Sequence, residues 1–190
     1  MQGKWIWLNQ ETKNDTYAEF VGEFKPKDSA RIEISADTEY AIYVNDTFVY
    51  AGQYADFPWY KVYDKIDITK YLKAGKNTFS VQVWYQGDYN FCHYVATPRV
   101  CFDIISDDKV IVSSGKETKS RLLPYFVNEK RKLITQQIGY SFSLDYTMKK
   151  REFQNSKEIE SVSEPTLRKT ELLRFLPKKA AKKIADNVYD

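Results

Sequence analysis

The chain has 190 residues, about one domain at ~100–200 residues per domain. Thirty of them are aromatic (4 Trp, 15 Tyr, 11 Phe) against 1 His, 2 Cys and 7 Gly; this excludes a disordered chain, a disulfide-stapled miniprotein, a multi-cysteine zinc module and any mechanism built on several histidines. The net charge of +3, from 29 basic and 26 acidic residues, is interspersed rather than gathered into a stripe, and no apolar run approaches ~18 residues, so neither nucleic acid nor membrane is expected as a partner.

The N-terminus carries a short apolar patch but no signal-peptide core, from which a cytoplasmic location is expected. Trp5 and Trp7 alternate with Ile6 and read as anchors of a first strand. Segments of four to eight residues with period-2 alternation then recur up to about residue 112, the signature of half-buried strands. In 30–36 the apolar set is Ala30, Ile32, Ile34 and Ala36. Residues 40–44 and 48–50 form a hairpin around Asn45-Asp46, whose short polar side chains tolerate left-handed backbone. Asp67 to Asn77 predicts a single helical turn, with Asp67 or Thr69 as cap and Gly75 as stop. Residues 78–85 and 99–104 alternate cleanly, and 109–112 end at Ser113-Ser114-Gly115.

Turns every 8–12 residues without intervening long helical patterns predict an all-β antiparallel sandwich over 1–153. After it the texture turns polar, so 154–190 reads as a linker and a short amphipathic helix. In that helix Ala180, Ile184 and Val188 share one face. The lysines at 178–183 read as its solvated side.

Several segments in order resemble one known pattern. They are Trp5-Ile6-Trp7, residues 17–24, residues 34–40, Tyr43-Val44-Asn45, Ala51-Gly52-Gln53, Phe57-Pro58, Tyr63-Asp64, Asp67-Ile68-Thr69, Tyr71-Leu72 and Gly75-Lys76-Asn77. Residues 133–142 with Asp145-Tyr146, and residues 164–169, continue the series. The series is similar to the N-terminal non-catalytic region of bacterial alpha-L-rhamnosidases, a galactose-binding-like jelly-roll sandwich. The resemblance implies an accessory domain of a glycoside hydrolase that binds a rhamnoside or other glycan, or braces an (α/α)-toroid catalytic domain. No part of that toroid is present in this sequence, so no catalytic residue carries over.

The residues are read in the same direction. Glycoside hydrolysis needs a matched pair of carboxyl groups, and nothing separates the character of Asp56, Asp64, Asp67, Asp88 or Asp103 as acid and base. The resemblance implies structural turn and cap positions for Asp64 and Asp67. Cys92 and His93 point to opposite faces of a strand, poor geometry for zinc. Cys92 and Cys101 are expected as free thiols, no carboxylate-dense loop announces calcium, and no cofactor is expected.

Sugar rings stack on aromatic faces while carboxylates and amides bond their hydroxyls. Trp84 is the leading candidate, because it shares the polar face of its strand with Thr78, Ser80 and Gln82; Tyr43 stands similarly outward. The loop 53–61 has four aromatics in nine residues, and contributes Tyr54, Asp56, Trp59 and Tyr60. The loop 86–91 contributes Asp88. The alternative is an interaction module, in which this aromatic face and the 178–189 helix form a homodimer or interdomain interface.

Overall fold

The structure is a computed structural model that describes residues 1–52, 56–91, 93–127, 131–160 and 164–167. Its first strands are β1 (Ile6–Trp7), β2 (Thr16–Phe24), β3 (Arg31–Ala36), β4 (Glu39–Val44) and β5 (Thr47–Gly52). Next, β6 (Val62–Asp67) leads through a 3-10 turn at Thr69–Tyr71 into β7 (Asn77–Tyr85), β8 (Val100–Ser106) and β9 (Lys109–Ser113). Shorter strands follow: β10 (Lys119–Leu122), β11 (Leu133–Thr135), β12 (Gly139–Tyr140), β13 (Gln154–Asn155), β14 (Lys157–Glu158) and β15 (Thr166–Leu167). A seven-stranded sheet runs β14-β1-β8-β3-β6-β15 with β9 also on β8, and a six-stranded sheet runs β13-β10-β2-β7-β4-β5. The strands β11 and β12 pair separately. The all-β sandwich expected from the sequence is the fold observed.

The core follows from the period of two. From the six-stranded sheet, Ala18, Phe20, Tyr40, Ile42, Val44, Phe79, Val81 and Val83 point inward to meet Ile32, Ile34, Phe102 and Ile104 of the other sheet. Trp7 is fully buried beside Phe20 and Tyr85, at ring separations of 5.7 and 6.2 Å. Each such side chain contributes about 1.5–3 kcal/mol of burial free energy or more. The hairpin at Asn45-Asp46 has φ of 50° and 64°, both central residues left-handed as a type I′ turn requires. The predicted helical turn is the 3-10 turn, and Asp67 Oδ1 accepts the Thr69 N–H at 2.8 Å. Asp64 is buried and accepts the Tyr40 hydroxyl at 2.7 Å, a structural role.

Strand β8 departs from the expected alternation, for it is buried on both faces. The N-terminus crosses its outer side: the Gln2 and Gly3 N–H groups donate to Asp103 at 2.6 and 2.9 Å, and Ser113 Oγ adds a bond of 2.7 Å. Any β-carbon at Gly3 would stand 2.5 Å from the Phe102 carbonyl oxygen, so only glycine allows this crossing. Cys101 is a free thiol beneath it, pushed up to about 12 by burial.

The linker expected from residue 154 begins inside paired chain instead. Residues of β13 pair with β10, β14 pairs with β1, and β15 adds to β6 in parallel. The polar composition of β13 and β14 reflects exposed edge strands, whose backbone pairs with the sandwich while their side chains face water. The amphipathic segment 178–189 lies outside the described residues. Among the described residues no helix is long and apolar enough to cross a membrane.

Candidate functional site

Two loops meet at the end of the sandwich where β7 gives way to β8. The first is the tight turn Phe57-Pro58-Trp59-Tyr60, closed by Tyr60 N–H to Phe57 O at 3.0 Å and Phe57 N–H to Tyr60 O at 3.2 Å. The second runs from Gln86 to Arg99. It turns at Gly87 (φ 78°), where a β-carbon would strike the Asn14 side chain. It is then pinned by a buried bond of 2.6 Å from Asn90 Nδ2 to Gln86 Oε1 and by backbone bonds between Asn90 and His93.

These loops assemble four exposed rings. Phe57 and Trp59 stack at 5.0 Å and 15°, Tyr94 packs against them at 5.4 and 5.7 Å, and Tyr89 joins Tyr94 at 5.4 Å. Trp59 is 65% exposed and Tyr89 54%. Side chains of this size are rarely left together in water without a partner.

Beneath the rings lies a buried set of charges. Asp56 accepts Lys61 Nζ at 2.6 Å and the Val62 N–H at 2.9 Å, and Lys61 Nζ also stands 3.7 Å from Asp37 Oδ1. Arg99 donates to the Pro58 carbonyl at 3.2 Å and lies over the Trp5 ring at 4.9 Å, so it ties the aromatic turn to the first strand. Burial pushes Asp37 up to about 6, with Lys61 and Arg99 pulling the other way. Burial first, then the positive Lys61 and Arg131, push His93 down to about 4, so it is neutral at pH 7. These charges hold the loops from below and are not presented to solvent.

The predicted site residues divide. Trp59 lies in the ring cluster, Tyr60 is exposed at the close of the same turn, and the Asp56 side chain, 8% exposed, clamps the loop from within. Tyr54 lies outside the described residues. Asp88 is a tether, accepting Asn14 Nδ2 at 3.0 Å and a guanidinium N–H of Arg131. Phe57, Tyr89 and Tyr94 complete the cluster beyond the predicted site residues; Phe57 belongs to the aromatic loop 53–61, and the aromatic density of 89–94 is the signal for Tyr89 and Tyr94.

Trp84 and Tyr43 stand elsewhere, on the outer face of the six-stranded sheet. Trp84 stacks on Tyr17 at 5.5 Å and 5°, and Tyr17 stacks in turn on Phe126 at 4.0 Å and 9°. The indole N–H donates to Asp15 at 2.9 Å. Phe126, from the chain beyond β10, lies over Tyr17, and the outward indole is half-buried against Tyr17 and Asp15 of its own chain. Burial, reinforced by Asp15, raises Tyr17 well above the usual phenol range. Tyr43 is half-buried and meets Phe48 edge-on at 5.7 Å. Among the described residues no group of His, Cys, Asp and Glu is arranged to hold a metal ion.

No family model and no curated protein matches the chain. Solved structures do. The chain superimposes on the GH78 family rhamnosidase of Bacillus sp. GL1 with a TM-score of 0.73 at 22% identity, covering 85% of this chain and 18% of that one. The alpha-L-rhamnosidase from Aspergillus terreus gives 0.60 at 19% identity, over 84% of this chain and 21% of that one. The chain shares its fold with one segment of the rhamnosidases, about a fifth of their length. The Pleurotus ostreatus lectin in its apo form is also similar, with a TM-score of 0.50 at 19% identity, over 84% of this chain and 42% of the lectin. At these identities the likeness establishes the fold.

Proposed function

We propose that the chain is a non-catalytic accessory domain of a rhamnosidase-like protein. In this reading its exposed ring cluster, Phe57, Trp59, Tyr94 and Tyr89, stacks on the apolar faces of a rhamnoside or other glycan. The carrying observation is that these four rings are held together and left bare by loops locked from beneath. A rigid aromatic surface loses little conformational entropy on binding. The non-catalytic reading is supported by the acids, since Asp56, Asp64, Asp88 and Asp103 are all engaged in structural bonds. Calorimetric titration with L-rhamnose, methyl rhamnoside and D-galactose tests it. Binding that Trp59→Ala weakens about tenfold, with unchanged unfolding, supports the site, whereas no heat at millimolar sugar sinks it. Release of nitrophenol from an aryl rhamnoside by the pure chain would sink the non-catalytic reading.

A second reading, a packing module, is favoured by the apolar exterior of the segment after β10. Phe142 is 64% exposed, Ile138 70% and Tyr146 79%, a surface suited to another domain or a second copy. Light scattering across concentrations tests it; a strict monomer removes the second copy from this reading.

A further inference from the structure

The outer face of the six-stranded sheet is divided. In its upper half Tyr17 lies under Phe126 and Gln82 beside Tyr125. The lower half is bare, and the register explains why it is concave. One row runs across four strands as Tyr43, Ser80, Val21 and Lys119. The middle two side chains are small and the outer two tall. The result is a groove of about 560 Å³, also lined by Glu19, Asp46 and Phe153, within the ~300–1,000 Å³ of small-molecule sites.

We propose that this groove is a second saccharide site, in which a sugar ring lies between Tyr43 and Phe153 over Val21 and Ser80. The proposal rests on the reading of the chain as a glycan-binding domain. Its walls are prepared in advance: Phe153 lies under the Arg121 guanidinium at 4.1 Å, and Phe48 backs Tyr43. Its formal charges balance, with Glu19, Glu23 and Asp46 set against Arg121, Lys76 and Lys119. Glu19 binds Arg121 at 2.7 Å and accepts Ser80 Oγ at 2.8 Å, Glu23 pairs with Lys76 at 2.6 Å, and Lys119 donates to Asn155 at 2.6 Å. A charged ligand therefore meets no net opposite charge in exchange for its lost hydration. A neutral polyol finds aromatic walls and the hydrogen-bonding groups of Tyr43, Ser80, Thr78 and Asp46 along the lining. That combination of apolar walls with a few placed polar groups selects a neutral sugar.

The test is an amide NMR titration of the full chain with L-rhamnose, D-galactose and a rhamnose-containing disaccharide. The expected result is two separate sets of shifted amides, one around Trp59 and one at Val21, Ser80 and Asp46. Tyr43→Ala and Phe153→Ala each raise the groove's Kd about tenfold and leave the Trp59 set unchanged; Trp59→Ala does the reverse. Val21→Trp, which fills the groove and keeps both walls, abolishes the groove set alone. Shifts confined to the Trp59 set overturn the groove and leave the first site standing. Groove shifts that persist in Val21→Trp also overturn it, and no shift at either place overturns both.

Discussion

Two aromatic clusters in this protein have nearly the same composition and opposite fates. Trp84, Tyr17 and Phe126 form a stack whose indole N–H is bonded to Asp15 and whose faces are taken up by the chain itself. Trp59, Phe57, Tyr94 and Tyr89 form a cluster on short, locked loops, and Trp59 remains 65% exposed. The first converts its area into stability. The second does not, and its rings remain available to a ligand.

The sharpest way to break this contrast is to truncate each indole. Trp84→Ala removes a stacked ring and the indole bond to the buried Asp15, so a loss of about 2–4 kcal/mol is expected in urea unfolding. Gly87→Ala attacks the scaffold of the bare cluster; its positive φ and the Asn14 contact set an expected cost of about 1–3 kcal/mol, with weaker sugar binding. Arg131→Ala frees Asp88 and the Tyr140 ring it covers at 3.8 Å. Because the Asp88 side chain is 46% exposed, a smaller loss of about 1–2 kcal/mol is expected, with faster amide exchange around Phe126. Trp59→Ala is expected to change stability by no more than about 0.5 kcal/mol. An equal loss from Trp59→Ala and Trp84→Ala would erase the distinction.

The charges under the bare cluster give the finest test. Folded Asp37, at about 6 against an ordinary 3.8, holds its proton more tightly than the unfolded chain, so its contribution improves as pH falls through 6. Folded His93, at about 4 against 6.5, holds its proton less tightly, so its contribution is complete above 6.5 and is lost as pH falls toward 4. The two oppose each other over the same window. Asp37→Asn leaves His93 unopposed, and Tm is expected to fall more steeply from pH 6.5 to 4 than in the unaltered chain. An unchanged slope would show that these groups do not titrate as their burial implies.

Much of this was legible in the residues. The alternation of 30–36 and 78–85, the Asn45-Asp46 turn and the Asp67–Gly75 element carry local signals, because side-chain period and left-handed turns act over a few residues. The acids were legible only in part. Asp64 reads as structural through the resemblance, although it stands inside β6 and not at a turn, but Asp56 and Asp88 read as hydroxyl binders until their partners, Lys61 and Arg131, are seen. Phe153 and Arg121 gave no signal at all, since their value lies in a contact between chain segments distant in sequence.

The sequence by itself determined an all-β sandwich rich in aromatic residues, and placed Trp84 and Tyr43 on outer faces. Only the tertiary structure decided which outer aromatics stay bare. The segment after β10 lays Phe126 over Tyr17 and leaves the groove beside Tyr43 open, while the loops at 56–61 and 86–99 bring Trp59 to Tyr94. Alternation tells which side of a sheet a residue faces, because that depends on its immediate neighbours along the strand. Whether that side is covered depends on chain that returns from dozens of residues away, and no local period records it.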